Sequence, residues 1–220
     1  MPQTIRISKP TARRLTMYLR VLQSVVETGG MECISSHQLG AAAGVADAQV
    51  RKDLASIGGR GQSGVGYRTR ELHETMRRAI GLQKSWRAVL VGAGNIGRAL
   101  LAYPRFHTEG FELVAVFDHA PSVVGKRVAG LAVQPMKAIP ATVRRSGAHF
   151  GIVAVPPSDA QNVAEILVAS GIRGLLNFAP RALQLPAHVA SVNVDFTEAF
   201  QRLAFETTNQ SSRSKRTTGA

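Results

Sequence analysis

Val89-Leu90-Val91-Gly92-Ala93-Gly94-Asn95-Ile96-Gly97-Arg98-Ala99-Leu100-Leu101 runs from a continuous apolar strand through a G-x-G-x-x-G turn into an apolar helix. Each glycine has its own physical task there. Gly92 permits the sharp turn, Gly94 lets bare backbone approach a pyrophosphate, and Gly97 lets the helix pack closely on the strand, while the helix N-terminus faces the anion. A second apolar strand, Phe111-Glu112-Leu113-Val114-Ala115-Val116-Phe117, ends in Asp118, 21 residues beyond Gly97. That is the place of the carboxylate that accepts from the adenine ribose of an NAD site. Gly92, Ala93, Gly94, Asn95, Ile96, Gly97 and Asp118 are therefore the cofactor-binding candidates.

Outward from this unit, apolar strands and helices alternate. Strands are expected at 150–155, 172–178 and 191–194, with a helix over 158–170. Continuous apolar strands between helices indicate a parallel sheet covered on both faces, the doubly wound Rossmann-like arrangement. Pro156-Pro157 follows one strand at its carboxyl end, where ligands bind in such sheets, so Pro156 joins the crevice candidates.

The first 84 residues read differently. Apolar positions Leu15, Tyr18, Leu19, Leu22, Val25 and Val26 follow helical spacing until Gly29-Gly30. Ser35 or Ser36 caps a second helix that Gly44 stops, and Asp47 caps a third in which Val50, Leu54 and Ile57 face inward and Gln49, Arg51, Lys52 and Ser56 outward. Helix, glycine turn and polar-faced helix make a helix-turn-helix. The glycine-rich ribbon Gly58-Gly59-Arg60-Gly61-Gln62-Ser63-Gly64-Val65-Gly66-Tyr67 suits the hairpin of a wing, and a further helix is expected over 70–82. On the third helix, Arg51 and Lys52 suit guanine edges or phosphates and Gln49 suits adenine.

Charge supports the same division. The whole chain carries a formal +13; residues 1–87 hold 14 basic against 6 acidic side chains, residues 88–207 hold 10 against 8, and 208–220 hold 3 basic and none acidic. A strongly basic N-terminal part beside a nearly neutral nucleotide part is the footprint of a polyanionic partner, with nucleic acid first among candidates. The single Cys33 excludes an internal disulfide, the N-terminus has no apolar signal region, and no apolar run approaches membrane-spanning length. A cytoplasmic location is expected.

Catalytic chemistry has no visible carrier. The six histidines are scattered without metal-ligand spacing, no nucleophile elbow occurs, and the sheet part leaves little chain for a substrate domain. No metal site and no enzymatic activity are expected. The stripe Phe196, Phe200, Leu203 and Phe205 on a terminal helix over 197–206 requires a partner surface, and the polar, basic tail 208–220 is expected to be disordered.

Several stretches together resemble one family, the Rex redox-sensing transcriptional repressors of bacteria. They are Lys9-Pro10-Thr11-Ala12-Arg13-Arg14-Leu15, Tyr18-Leu19-Arg20, Ser35-Ser36 with Gln38-Leu39, Gln49-Val50-Arg51-Lys52-Asp53-Leu54, Gly64-Val65-Gly66-Tyr67, the glycine motif with Tyr103-Pro104, Asn177-Phe178-Ala179-Pro180 and Asn193-Val194-Asp195. The resemblance implies a homodimer whose winged helices bind operator DNA, whose Rossmann-like domains read NADH against NAD+, and which releases DNA on binding NADH. It also implies a terminal helix swapped onto the other subunit, so that Tyr103 and the partner's Asp195 and Phe196 approach the nicotinamide end, with Arg20 linking that region to the DNA-binding domain. On this resemblance Lys9, Arg13, Arg14 and Arg60 join Gln49, Arg51 and Lys52 as DNA-facing candidates. The chain departs from the family pattern after the third helix, with Ser56-Ile57-Gly58 in place of Tyr-Phe-Gly, and in the wing, with Gln62-Ser63 where a basic residue is usual.

The expected organisation is thus α/β: a winged-helix domain over 1–84, a Rossmann-like domain over 85–195, a dimerisation helix over 196–207 and a tail over 208–220. The readings that compete with an NADH-controlled repressor are an NAD-dependent oxidoreductase and a CoA- or nucleotide-binding accessory protein.

Overall fold

A computed structural model describes residues 7–217, with side chains through Asn209. The chain divides into two compact units, Met1–Lys84 and Ser85–Ala220.

The first unit is built on four helices. α1 (Lys9–Glu27) starts at Ser8, whose hydroxyl accepts from the Thr11 amide, and buries Leu15, Tyr18, Leu19 and Leu22 along one stripe. α2 (Ser36–Ala43) begins with a capping box between Ser35 and Gln38 and ends at Gly44 in the left-handed region. α3 (Asp47–Ser56) packs on α2 through Val50 and Leu54, and α4 (Thr69–Ala79) closes the core with Leu72 and Met76. Asp47 does not cap α3 as expected: it is the first helical residue, and its carboxylate bonds Arg51 one turn on, at 2.7 Å. The wing also differs from a free-standing hairpin. β2 (Tyr67–Arg68) pairs antiparallel with β1 (Cys33–Ile34), while the glycine ribbon closes through a single bridge between Gln62 and Gly66. With glycine at 58, 59, 61, 64 and 66 the ribbon has few side chains to pair across a ladder.

A buried polar hub holds this unit together. Asp53, 2% exposed, accepts two bonds from the Arg14 guanidinium at 2.6 and 2.7 Å, one from the Tyr18 hydroxyl at 3.0 Å and one from the Gln49 amide at 2.9 Å. Burial alone would push this carboxyl up, but the bonds from Arg14, Tyr18 and Gln49 outweigh it and hold it below the usual carboxylate range. Burial, reinforced by Asp53, drives the Tyr18 phenol up to about 12.

The second unit is a seven-stranded sheet. β3 (Trp86–Val91) lies at its centre. On one side stand β4 (Phe111–Asp118), β6 (Leu131–Pro135) and the short antiparallel edge β5 (Arg127–Val128); on the other stand β7 (Phe150–Val153), β8 (Gly174–Asn177) and β9 (Ala190–Asn193). The parallel order β6-β4-β3-β7-β8-β9 reverses direction at β3, the doubly wound Rossmann order. α5 (Asn95–Leu101) and α6 (Arg105–Thr108) follow β3, a 3-10 turn and α7 (Ile139–Ser146) follow β6, and α8 (Pro157–Ala169) follows β7. α7 and α8 cover one face with Ile139, Val143, Ala160, Val163, Ala164 and Leu167 against Val89, Val91, Phe117 and Val153. β6 and α7 carry too weak a pattern to be read from sequence: the apolar run of β6 is brief, and α7 opens on Ile139-Pro140.

α9 (Phe196–Thr217) is longer than expected. The basic stretch expected to lack structure is helical through Thr217, and 218–220 lie outside the described residues. No proline or glycine interrupts 197–217, and the hydroxyls of Thr207 and Thr208 donate to the carbonyls of Leu203 and Ala204 at 2.8 and 2.9 Å instead of competing for the backbone elsewhere.

Asp53→Ala, which leaves the buried Tyr18 hydroxyl without its acceptor, should destabilise the first unit by about 1–3 kcal/mol in urea denaturation followed by circular dichroism. Because the folded carboxyl titrates below its unfolded value, it contributes stability at and above the ordinary carboxylate range, and this contribution fades as the pH falls through the folded value. Asp53→Asn should flatten that acid dependence.

Candidate dinucleotide site and nucleic-acid interface

The turn after β3 sits at the switch point of the sheet, and two of its glycines are dictated by the protein itself. Gly92 has φ +103°, and a Cβ there would lie 2.2 Å from the carbonyl oxygen of Ala154 at the end of β7. A Cβ on Gly97 would lie 1.9 Å from the carbonyl oxygen of Gly92. Gly94 is different: its φ is −72° and a Cβ would meet nothing within 4 Å. Packing therefore explains Gly92 and Gly97 but not Gly94, which borders open space at the start of α5, where no side chain caps the helix. A pyrophosphate in that space would account for Gly94, so the residues present fit a dinucleotide. Asn95 and Ile96 supply the first turn of α5, with Ile96 40% exposed, and Ala93 is buried.

Asp118 ends β4 beside this turn. Its Oδ2 accepts from the Ala93 amide at 2.8 Å and its Oδ1 from the Ala120 amide at 2.9 Å, with His119 Nδ1 3.6 Å from Oδ1. Burial would raise this carboxyl, but the amides of Ala120 and Ala93, with His119, pull it below the usual range. The carboxylate thus staples the turn to β4 and retains accepting capacity, since each oxygen accepts more than one bond. Arg98 holds the turn from the other side, its Nε donating to the Ala93 carbonyl at 2.9 Å.

Pro156 is exposed just beyond β7, on the crevice side of the strand ends. Tyr103 is exposed and packs edge-on against Phe106, with ring centroids 5.3 Å apart. Asp195 caps α9, Oδ1 accepting from the amides of Thr197 and Glu198, and Phe196 next to it is exposed. Asn177 has a role that its residue type alone does not signal. Fully buried, it accepts from the Ala179 amide and donates to the carbonyls of Ala179 and Arg181 and to Asn193 Oδ1, tying the ends of β8 and β9 together. Only the motif Asn177-Phe178-Ala179-Pro180 signalled it. Among the described residues no group of three or more His, Cys, Asp and Glu is placed to hold a metal ion.

The basic candidates of the first unit fall into two sets. Arg14 and Gln49 hold Asp53, and Arg51 spans from α3 to α2 by bonding Asp47 at 2.7 Å and Ser36 at 3.1 Å. Lys9, Arg13, Lys52 and Arg60 are exposed, as is Arg20. The exposed stripe of α3 is Ala48, Arg51, Lys52, Ala55 and Ser56. Small Ala48 and Ala55 flank the two cations, so no bulky side chain stands beside them on this face.

A basic helix-turn-helix unit joined to a doubly wound dinucleotide sheet defines a class: DNA-binding regulators with a nucleotide-sensing domain. The family described as "Putative DNA-binding protein N-terminus" matches residues 6–55, and that described as "CoA binding domain" matches 83–181, the stretch from β3 to β8. The redox-sensing transcriptional repressor Rex of Desulforamulus reducens is 39% identical over 203 residues, 92% of this chain and 96% of that protein. The crystal structure of RSP in complex with beta-NAD+ and operator DNA superimposes with a TM-score of 0.86 at 30% identity, covering 98% of this chain and 99% of that one. RSP in complex with beta-NADH gives 0.85 at 29% identity, covering 95% and 98%. The chain belongs to the Rex family of redox-sensing transcriptional repressors.

The contrast among the glycines is testable. Gly97→Ala should cost about 1–3 kcal/mol or more of stability, because backbone must move to admit the methyl group. Gly94→Ala should leave the denaturation midpoint nearly unchanged and weaken NADH binding, measured by quenching or enhancement of dihydronicotinamide fluorescence.

Proposed function

We infer that this chain is a transcriptional repressor that senses the NADH/NAD+ ratio, holding operator DNA when NADH is scarce and releasing it when NADH is bound. The observation that carries the reading is the pairing, in one chain, of a glycine turn open to a pyrophosphate with a basic helix-turn-helix. The relatives support it, since RSP is described with NAD+ and operator DNA and with NADH. The chain acts through binding rather than catalysis, and a cytoplasmic site of action fits a DNA-binding protein in which no described helix is long and apolar enough to cross a membrane.

Residue roles follow from the chemistry of each position. Gly94, with Asn95 and Ile96 in the first turn of α5, holds the pyrophosphate in a turn shaped by Gly92, Ala93 and Gly97, Asp118 accepts from the adenine ribose, and Pro156 lines the crevice. A carboxylate at the ribose favours NAD(H), because it repels a 2′-phosphate. Lys52, with Arg51 beside it, faces DNA from α3, while Lys9, Arg13 and Arg60 add phosphate contacts. Arg14 and Gln49 act on DNA through Asp53, by fixing the seat of α3 on α1, rather than by touching bases.

The functional species in this reading is a homodimer with exchanged α9 helices. Phe196, Phe200, Leu203 and Phe205 are 56–71% exposed on α9, and burying each such side chain is worth roughly 1.5–3 kcal/mol. The same unit carries an apolar groove of about 390 Å³ over Phe111, Phe150, Leu176 and Val192 on the open face of its sheet. An exposed stripe and an open apolar face on one chain are what a second copy covers. Exchange would bring Asp195 and Phe196 to the partner's nicotinamide end, beside Tyr103, with Arg20 as the link to the DNA-binding unit. It would also hold two recognition helices at the spacing of about 34 Å, or a multiple, that a two-fold operator requires.

Three measurements check this reading. NADH should lower operator affinity by the factor by which operator lowers NADH affinity, about 5–150-fold, with NAD+ less effective; equal operator binding with and without saturating NADH in fluorescence anisotropy contradicts it. Lys52→Ala should weaken operator binding without altering NADH affinity, and should reduce the salt slope by about 1 if its contact is a phosphate. Truncation before Asp195 should give a monomer by light scattering that binds operator poorly and ignores NADH.

A further inference from the structure

The first turn of α2 and the outer stripe of α3 form one edge of the helix-turn-helix. Arg51 Nη1 donates to the Ser36 hydroxyl at 3.1 Å, which ties α3 to the start of α2, and the same nitrogen pairs with Asp47 Oδ2 at 2.7 Å. The Arg51–Asp47 pair therefore adds no net charge to this edge. The bond from Arg51 holds the Asp47 carboxyl below its ordinary value, against the effect of burial, and His37 acts on it in the same direction as Arg51. His37 follows Ser36 on α2 and is exposed. The charged groups facing it come from α3, namely Asp47 and, through Ser36, Arg51; α1 also packs on α2, and its Arg14 is turned to Asp53. His73, the other histidine of this unit, is partly buried on α4 and paired with Gln23 at 2.6 Å.

We propose that His37 grips a DNA backbone phosphate in its charged form, so that DNA binding by the first unit takes up a proton. The proposal rests on the reading of α3 as the DNA-facing helix. In a helix-turn-helix the second helix enters the groove while the first crosses the backbone, so a side chain on the edge shared by the two helices stands at the level of the phosphates. Histidine is the side chain whose charge changes across the neutral pH range. With His37 neutral, the group of His37, Asp47 and Arg51 sums to zero; with His37 protonated, it offers one positive charge to the duplex. A phosphate beside the imidazole favours the protonated form, so binding and protonation assist each other and DNA affinity rises as the pH falls. The contact carries no base information and acts alike on any sequence.

The test is the affinity of the full-length protein for a fluorescently labelled duplex of mixed sequence, read by anisotropy at about pH 8 and about pH 6 in roughly 0.1 M salt. The wild type should bind at least about fivefold more tightly at the lower pH, with a salt dependence steeper by about one for each His37 engaged. His37→Gln should remove both changes and bind at either pH as the wild type does at the higher one. His37→Lys, charged throughout, should bind at the higher pH about as tightly as the wild type does at the lower. His37 is exposed and takes no part in the capping box of Ser35 and Gln38, so neither variant threatens the fold, and an unchanged denaturation midpoint confirms this. A wild-type affinity that does not change with pH, or a change that His37→Gln keeps, overturns the proposal and leaves the DNA-binding reading standing. A protein that binds the duplex at neither pH overturns that reading and the proposal with it.

Discussion

The backbone of Gly97 lies so near the Gly92 carbonyl, and Gly92 so near the Ala154 carbonyl, that side chains are excluded at both positions. This three-way approach joins the first turn of α5 to β3 and β7 at the one place where the strand order reverses. Most of the candidate site depends on it. Next to it the Ala93 amide reaches Asp118, Gly94 faces open space, and Asp118 borders the small cavity beside α8. The sheet does not merely carry a ligand loop; the loop geometry is a consequence of how closely strand and helix meet.

The DNA-binding unit solves its positioning problem by other means. Apolar packing among the four helices is non-directional, whereas a hydrogen-bonded group sets a defined geometry. A buried carboxylate bonded by two helices removes that freedom. Asp53 on α3 takes a bidentate guanidinium from α1, a phenol from α1 and an amide from its own helix. Any shift of α3 along α1 would leave a buried charge without partners, which costs far more than a lost apolar contact. The orientation of the outer stripe Ala48, Arg51, Lys52, Ala55 and Ser56 is thereby fixed before any DNA is met.

Much of this could be read from the residues in order. The strand-turn-helix around Gly92, the acid at the end of β4, the capped helices of the first unit and the alternation that follows are local patterns, set by backbone sterics and by periodicity. The Rex resemblance was legible because its motifs lie in the same well-patterned segments. Other features were hidden for definite reasons. β6 is too short to show a period, and α7 carries a proline in its first turn. Asp47 looked like a cap by type, yet Arg51 at the next turn draws its carboxylate into the helix. α9 outran its apolar stripe because 207–217 holds no proline or glycine, although that segment has no apolar face to mark it as a helix.

The sequence by itself determined the two-part α/β organisation, the identity of the glycine turn and its acid, and the basic character of the first unit, because each is written in neighbours along the chain. Only the tertiary structure decided how the polar residues divide their work. Arg14 and Gln49 face inward to Asp53 although their types suit DNA, Asn177 ties two strand ends, and Asp159 and Asn162 border the cavity beside Asp118. Such assignments depend on which distant groups a fold brings within about 3 Å of one another, and a linear pattern fixes only the partners within a turn or a strand.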